Sequence, residues 1–167
     1  IAVSRSDNKQ SFSFGSNVGS AFTGVLVLSQ VQYGLSANNT TALSQADLNV
    51  GNDATLTVGS GTQTIGRLNL NGGKAVFASG GEIGTGTLSV TGANTIQIDP
   101  SQTQTANLLD QDDGITQRLI TTTTQLTTDE LSNLTLEDAD GQQVDEDYQQ
   151  AIVQNNAQVA QGFITMD

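Results

Sequence analysis

Ala46-Asp47-Leu48-Asn49-Val50-Gly51-Asn52-Asp53-Ala54-Thr55-Leu56-Thr57-Val58-Gly59 holds two short apolar alternations divided by a turn of Gly, Asn and Asp. Successive side chains of a strand point to opposite faces, so Leu48, Val50, Leu56 and Val58 share one side and Asn49, Thr55 and Thr57 the other. The first alternation returns every twenty residues, as Leu48-Asn49-Val50, Leu68-Asn69-Leu70 and Leu88-Ser89-Val90. The second keeps the same offset through Lys74-Ala75-Val76-Phe77-Ala78 and Asn94-Thr95-Ile96-Gln97-Ile98. A unit this short cannot bury its own apolar face and must stack on its neighbours. The expected fold is all-β, a parallel β-helix of about twenty residues per coil, with inward columns of Leu, Val and Ile.

Turns fall where the path must change direction: Gly51-Asn52, Gly59-Ser60-Gly61, Asn71-Gly72-Gly73, Gly80-Gly81 and Gly92-Ala93-Asn94. Evenly spaced hairpins of a β-sandwich are the competing architecture, but a strict register over three coils is harder to obtain from hairpins. A third, looser strand is expected through Gln63-Thr64-Ile65 and Glu82-Ile83, spaced by about eighteen residues. Phe22 to Leu28 reads as an earlier coil whose turn extends through Gln32 to Thr41, and residues 1–20, with Phe12 and Phe14, read as a partial coil.

After Pro100 the register is lost and the composition turns acidic. The expected organisation is coils over 1–98 and a C-terminal capping module over 99–167. Thr116 to Thr124, Leu131 to Leu136, Gln149 to Val153 and Val159 to Met166 read as strands, with Asp140-Gly141 as a hairpin turn. Such a module covers the open end of a solenoid, whose unpaired edge otherwise invites aggregation. Gly141, Val159, Phe163 and Ile164 are its candidate folding and capping residues.

Composition closes off many kinds of chemistry. Seventeen acidic against five basic side chains give a net charge of -12, which disfavours binding to nucleic acid or anionic lipid. No run approaches the roughly 20 apolar residues of a spanning helix. Without His or Cys, the His-based catalytic triads and thiolate nucleophiles are impossible. Lys74 opens a repeat strand and reads as a solvated side chain. The acidic clusters at Asp110, Asp112 and Asp113, at Glu137, Asp138 and Asp140, and at Asp145, Glu146 and Asp147 do not match a calcium-loop spacing. They read as a solvated face. No catalytic residue, metal or cofactor is expected, and the chain reads as non-enzymatic. Outward positions are the better candidates for contact with a partner. The repeat register puts Phe77 on the solvent face, where an aromatic ring can anchor a protein or a sugar, and Asn49, Asn69 and Ser89 in a polar ladder.

The run from Ala46 to Gly59, continued by Gly66-Arg67-Leu68-Asn69-Leu70-Asn71-Gly72-Gly73, resembles the passenger domains of bacterial type V autotransporters, pertactin-like and AIDA-type. Asp140-Gly141 followed by Ile152-Val153-Gln154-Asn155-Asn156-Ala157-Gln158-Val159-Ala160-Gln161-Gly162-Phe163 resembles the stretch that closes such a passenger before its outer-membrane barrel. The resemblance covers residues 22–98 and 131–166. It implies a right-handed β-helix ending in an autochaperone region, displayed on the surface of a Gram-negative cell. The implied roles are adhesion, self-association or recruitment of host proteins. The implied partners are a host surface protein or glycan, a second copy, and the chain's own barrel, with no membrane insertion of this segment. A carbohydrate-active β-helix enzyme and an inert structural spacer are the alternative readings.

Overall fold

The computed structural model describes residues 2–4, 11–12, 22–51, 53–78, 80–98, 117–137, 140–143 and 162–166. The expected strands at Gln149 to Val153, the residues Phe14 and Val159, and the acidic clusters of 110–113 and 145–147 lie outside them. The chain is a parallel β-helix. One sheet is ordered β1 (Ala2–Ser4), β3 (Val25–Ser29), β5 (Leu43–Gly51), β7 (Gly61–Asn71), β9 (Gly81–Thr91), β11 (Gln117–Thr122) and β13 (Gly162–Met166). The other is ordered β12 (Leu134–Glu137), β10 (Asn94–Ile98), β8 (Lys74–Phe77), β6 (Thr55–Val58), β4 (Gln32–Leu35) and β2 (Ser11–Phe12). Each strand pairs in parallel with its counterpart one coil away, except β13, which runs antiparallel to β11.

The long strands supply two walls of each coil. In β7 the inward side chains are Gln63 and Ile65, then Leu68 and Leu70, and the alternation changes phase around Gly66. In β9 they are Ile83 and Thr85, then Leu88 and Val90, with the same break around Gly86. The strand therefore rounds a corner while its backbone stays paired. The expected third strand is the first half of this element, and its true offset is twenty, since Gln63 pairs with Ile83 and Ile65 with Thr85.

The core is the expected column of Leu48, Leu68 and Leu88, extended by Leu26 of the earlier coil, each at most 1% exposed, and joined by Leu28, Val50, Leu70 and Val90. Full burial of such a side chain contributes roughly 1.5–3 kcal/mol. Tyr33 of β4 is buried among them, so Gln32 to Leu35 is a strand of an earlier coil and only the stretch after it is turn. That coil is longer: Leu26 pairs with Leu48 and Tyr33 with Leu56, spacings of 22 and 23. At the N-terminal end, β1 and β2 add a further partial coil.

The two walls do not share one period. Leu48, Leu68 and Leu88 keep an offset of twenty, but Leu56 pairs with Ala75 and Ala75 with Ile96, offsets of 19 and 21. The corner at Asn71-Gly72-Gly73 is one residue shorter than its neighbours, and the following corner, before Gly81, is one longer. Gly73 makes the short corner possible, because a Cβ there would stand 2.7 Å from Val50 Cγ1. A slip of one residue turns a whole strand over. Ala75 and Phe77 consequently face inward, and Val76 outward.

Beyond β10 the solenoid continues. β11 pairs in parallel with β9, and β12 with β10, Ile96 standing beside Leu136. Between them lies an unexpected helix, α1 (Thr128–Ser132), whose last two residues, Leu131 and Ser132, fall in the stretch read as strand. Its start is a capping box: the Thr127 hydroxyl accepts from the Glu130 N–H, while Glu130 Oε2 accepts from the Thr127 N–H at 3.0 Å.

Candidate partner-contact face and capping site

The outward side of the long strands carries rows of side chains that run across the coils. Val27, Asn49, Asn69 and Ser89 form one row, and Val25, Asp47, Arg67 and Thr87 the next. The rows are polar ladders apart from Val25 and Val27, which are 41% and 37% exposed. Asn69 Nδ2 donates to Asn49 Oδ1, so both expected contact residues sit outward and half-buried, bonded to each other. Arg67 faces Asp47 at 3.8 Å, both well exposed, an arrangement worth little in stability. Further along, Glu82 accepts hydroxyl bonds from Thr62 and Thr121 and ties three successive rungs together.

Phe77 does not belong to this face. It is fully buried in the core, because the short corner at Gly72-Gly73 shifts β8 by one residue and exchanges the roles of Val76 and Phe77. It anchors the coil, not a partner. Lys74, read as solvated, is paired: its Nζ lies 3.0 Å from Glu137 Oε2, across β10.

At the C-terminal end the chemistry is that of an edge being closed. β11 covers only the first half of β9, at Ile83 to Thr85. Among the described residues no strand pairs with the second half, and side chains of residues 123–130 take that place. Thr124 Oγ1 accepts from the Leu88 N–H at 3.3 Å, and Thr123 Oγ1 donates to the Gly86 carbonyl. The Glu130 carboxylate stands near the Val90 N–H. The Thr127 N–H, foremost, holds the Glu130 carboxyl below its ordinary range, against an opposing effect of burial, with the Thr127 hydroxyl and the Val90 N–H adding to it. Sequence reading missed this site, although Thr127-x-x-Glu130 is a capping-box signature.

Asp140-Gly141 forms a tight turn after β12: Gly141 has φ +74° and Glu137 bridges Gln143 antiparallel. The turn lies over Gln97, which is 8% exposed although it sits on the outward side of β10. Phe163 and Ile164 lie in β13, opposite Thr121 and Ile120 of β11.

Among the described residues no group of three or more acidic side chains could hold a metal ion, and no helix is long and apolar enough to cross a membrane. A recess between Tyr33, Ser36, Asn39, Leu43 and Gln63 has room for about one water molecule.

No family model matches the chain, and no solved structure does. Two curated proteins of Escherichia coli K12 are similar to it. One is the uncharacterized protein YuaQ, 31% identical over 160 residues, covering 84% of this chain and 12% of that protein. The other is the uncharacterized lipoprotein YdeK, 29% identical over 195 residues, covering 97% of this chain and 15% of that protein. The chain thus spans less than a sixth of either relative's length.

Proposed function

We propose that this chain is a non-enzymatic segment of a surface-displayed bacterial passenger of the autotransporter type. It extends an adhesive or self-associating stalk, and its C-terminal part starts the folding of the coils. The observation that carries the reading is the asymmetric end. Parallel rungs follow one another from β1 to β12, and beside β11 the ladder is closed by an antiparallel strand, a helix and side-chain hydroxyls. A solenoid's slow step is its first ordered edge, after which coils add readily. A segment whose strands pair antiparallel can make that edge alone. The outward ladders form a flat face suited to a protein, a glycan or a second copy, and the relative named as a lipoprotein supports a location in the cell envelope.

Two experiments test this. An epitope inserted between Asn38 and Asn39, in an exposed turn, is expected to label on intact cells expressing the whole parent protein. Labelling only after the cells are permeabilised rejects surface display. Removing residues 131–167 is expected to leave 1–130 unfolded or aggregated, whereas removing 1–40 leaves a cooperative core. A 1–130 fragment that melts cooperatively in urea rejects the folding role. Turnover of a polysaccharide that disappears on neutralising one carboxylate would favour the enzyme reading instead.

A further inference from the structure

Asn71 is the only asparagine in the chain followed by glycine. In an Asn-Gly pair the following amide nitrogen is unhindered and can attack the asparagine's own side chain. The Gly72 nitrogen gives up its proton to a base and bonds to Asn71 Cγ, and the Cγ–Nδ2 bond breaks, releasing ammonia. Water then opens the cyclic imide at either carbonyl, leaving aspartate or the β-linked isoaspartate. The balance is one water in and one ammonia out. The sequence invites this reaction here, because Gly72 has no side chain to hinder the approach and Asn71 is exposed at the end of β7.

The fold takes the nucleophile away. Asn94, 2% exposed in the next coil, accepts at Oδ1 from the Gly72 N–H at 2.8 Å and from the Gly73 N–H at 3.1 Å. Its Nδ2 donates to the carbonyls of Thr91 and Gly92 at 2.9 and 2.8 Å. All four capacities of the carboxamide are used, so the side chain is fixed in place. The Gly72 carbonyl is also held, by the Asp53 N–H at 3.2 Å. Gly72 is thereby bound on one side to the coil before it and on the other to the coil after it. Its N–H is neither free to ionise nor free to swing toward Cγ.

We infer that Asn71-Gly72 is a latent modification site, and that Asn94 is the positioning residue that keeps it closed. The guard arrives only when the coil bearing β10 docks on β8. Asn71 therefore records whether that docking has taken place: it is stable in the folded solenoid and deamidates in a chain left open.

Trypsin reads the site directly, since cleavage after Arg67 and Lys74 releases Leu68-Asn69-Leu70-Asn71-Gly72-Gly73-Lys74, with Asn69 as an internal reference. The chain is held at mildly alkaline pH, folded or in urea, and the peptide's deamidated fraction is followed by mass spectrometry. Protection by local structure predicts a rate at Asn71 at least about tenfold slower in the folded chain. The test variant is Asn94→Ala, which places at 94 the residue that coil β5–β6 carries at the matching corner, Ala54. While still folded it should deamidate at least about fivefold faster than the parent. Equal rates in folded and unfolded parent overturn the inference, as does a folded Asn94→Ala chain with an unchanged rate. Should that variant not fold, hydrogen exchange of the parent's Gly72 amide decides. Exchange as slow as at Leu70 supports the guard, and exchange at the rate of an open loop overturns it.

Discussion

The Leu88 N–H ends on Thr124 Oγ1 at 3.3 Å, so a strand edge that another coil could have extended is instead occupied by a side chain, with the Glu130 carboxylate, held by the Thr127 N–H at 3.0 Å, beside it. Removing the residue that organises this carboxylate, with Thr127→Ala, is expected to cost about 1 kcal/mol. The pH dependence follows from the lowered pKa of Glu130 in the folded chain. A depressed carboxyl contributes stability above its unfolded-state pKa and loses it as pH falls through the folded value. The parent should therefore lose more stability between neutral and acidic pH than Glu130→Gln does. Urea midpoints of both at each pH check it, and equal losses would contradict the assignment.

Phe77→Ala should destabilise the chain by about 3–5 kcal/mol, as for a buried aromatic, whereas Val76→Ala, on the outward side, should stay within about 1 kcal/mol. Urea titration of the two variants distinguishes the observed 19-residue step from an unbroken period of twenty, under which the order of the effects would be reversed.

Leu68→Asp, in the middle of the leucine column, is expected to unfold the chain or cost several kcal/mol, because it buries an unpaired charge. Asn69→Asp disturbs only the bond to Asn49 and should cost about 1 kcal/mol or less. The comparison is made by thermal melting followed by circular dichroism.

The Lys74 to Glu137 pair joins residues 63 positions apart across an intervening strand, yet both groups reach solvent. Lys74→Ala is therefore expected to cost less than about 1 kcal/mol, and less still in high salt. A double-mutant cycle with Glu137→Ala that gives a much larger coupling would place the pair at the centre of the cap's attachment.

The architecture was legible because three coils repeat Leu-x-Leu/Val at a fixed interval, and a buried wall leaves that mark on any sequence. Phe77 was misread for a definite reason: a deletion in one corner and an insertion in the next cancel over the whole coil, so the period survives while one strand between them turns over. The roles of Asn49 and Asn69 as outward neighbours could be read from alternation alone, but their bond to each other could not. Asn94 was hidden too, since the alternation marks 94 as inward without saying that a polar group there would find four partners. The rungs at β11 and β12 escaped detection because the step from Ile96 to Leu136 is forty residues, twice the interval that reveals the others.

The paired short and long corners also bear on how such an array changes over generations. Recombination between similar coils can add or remove a whole unit without harm when both breakpoints fall at the same place in the repeat, since each exchange carries the missing and the extra residue together. A breakpoint between Gly73 and Gly81 separates them. The hybrid then inherits one irregular corner without its complement, and the strand at the junction presents its polar side to the interior. Duplication in this lineage is thus expected to respect the stretch from Asn71 to Gly81 as an indivisible block.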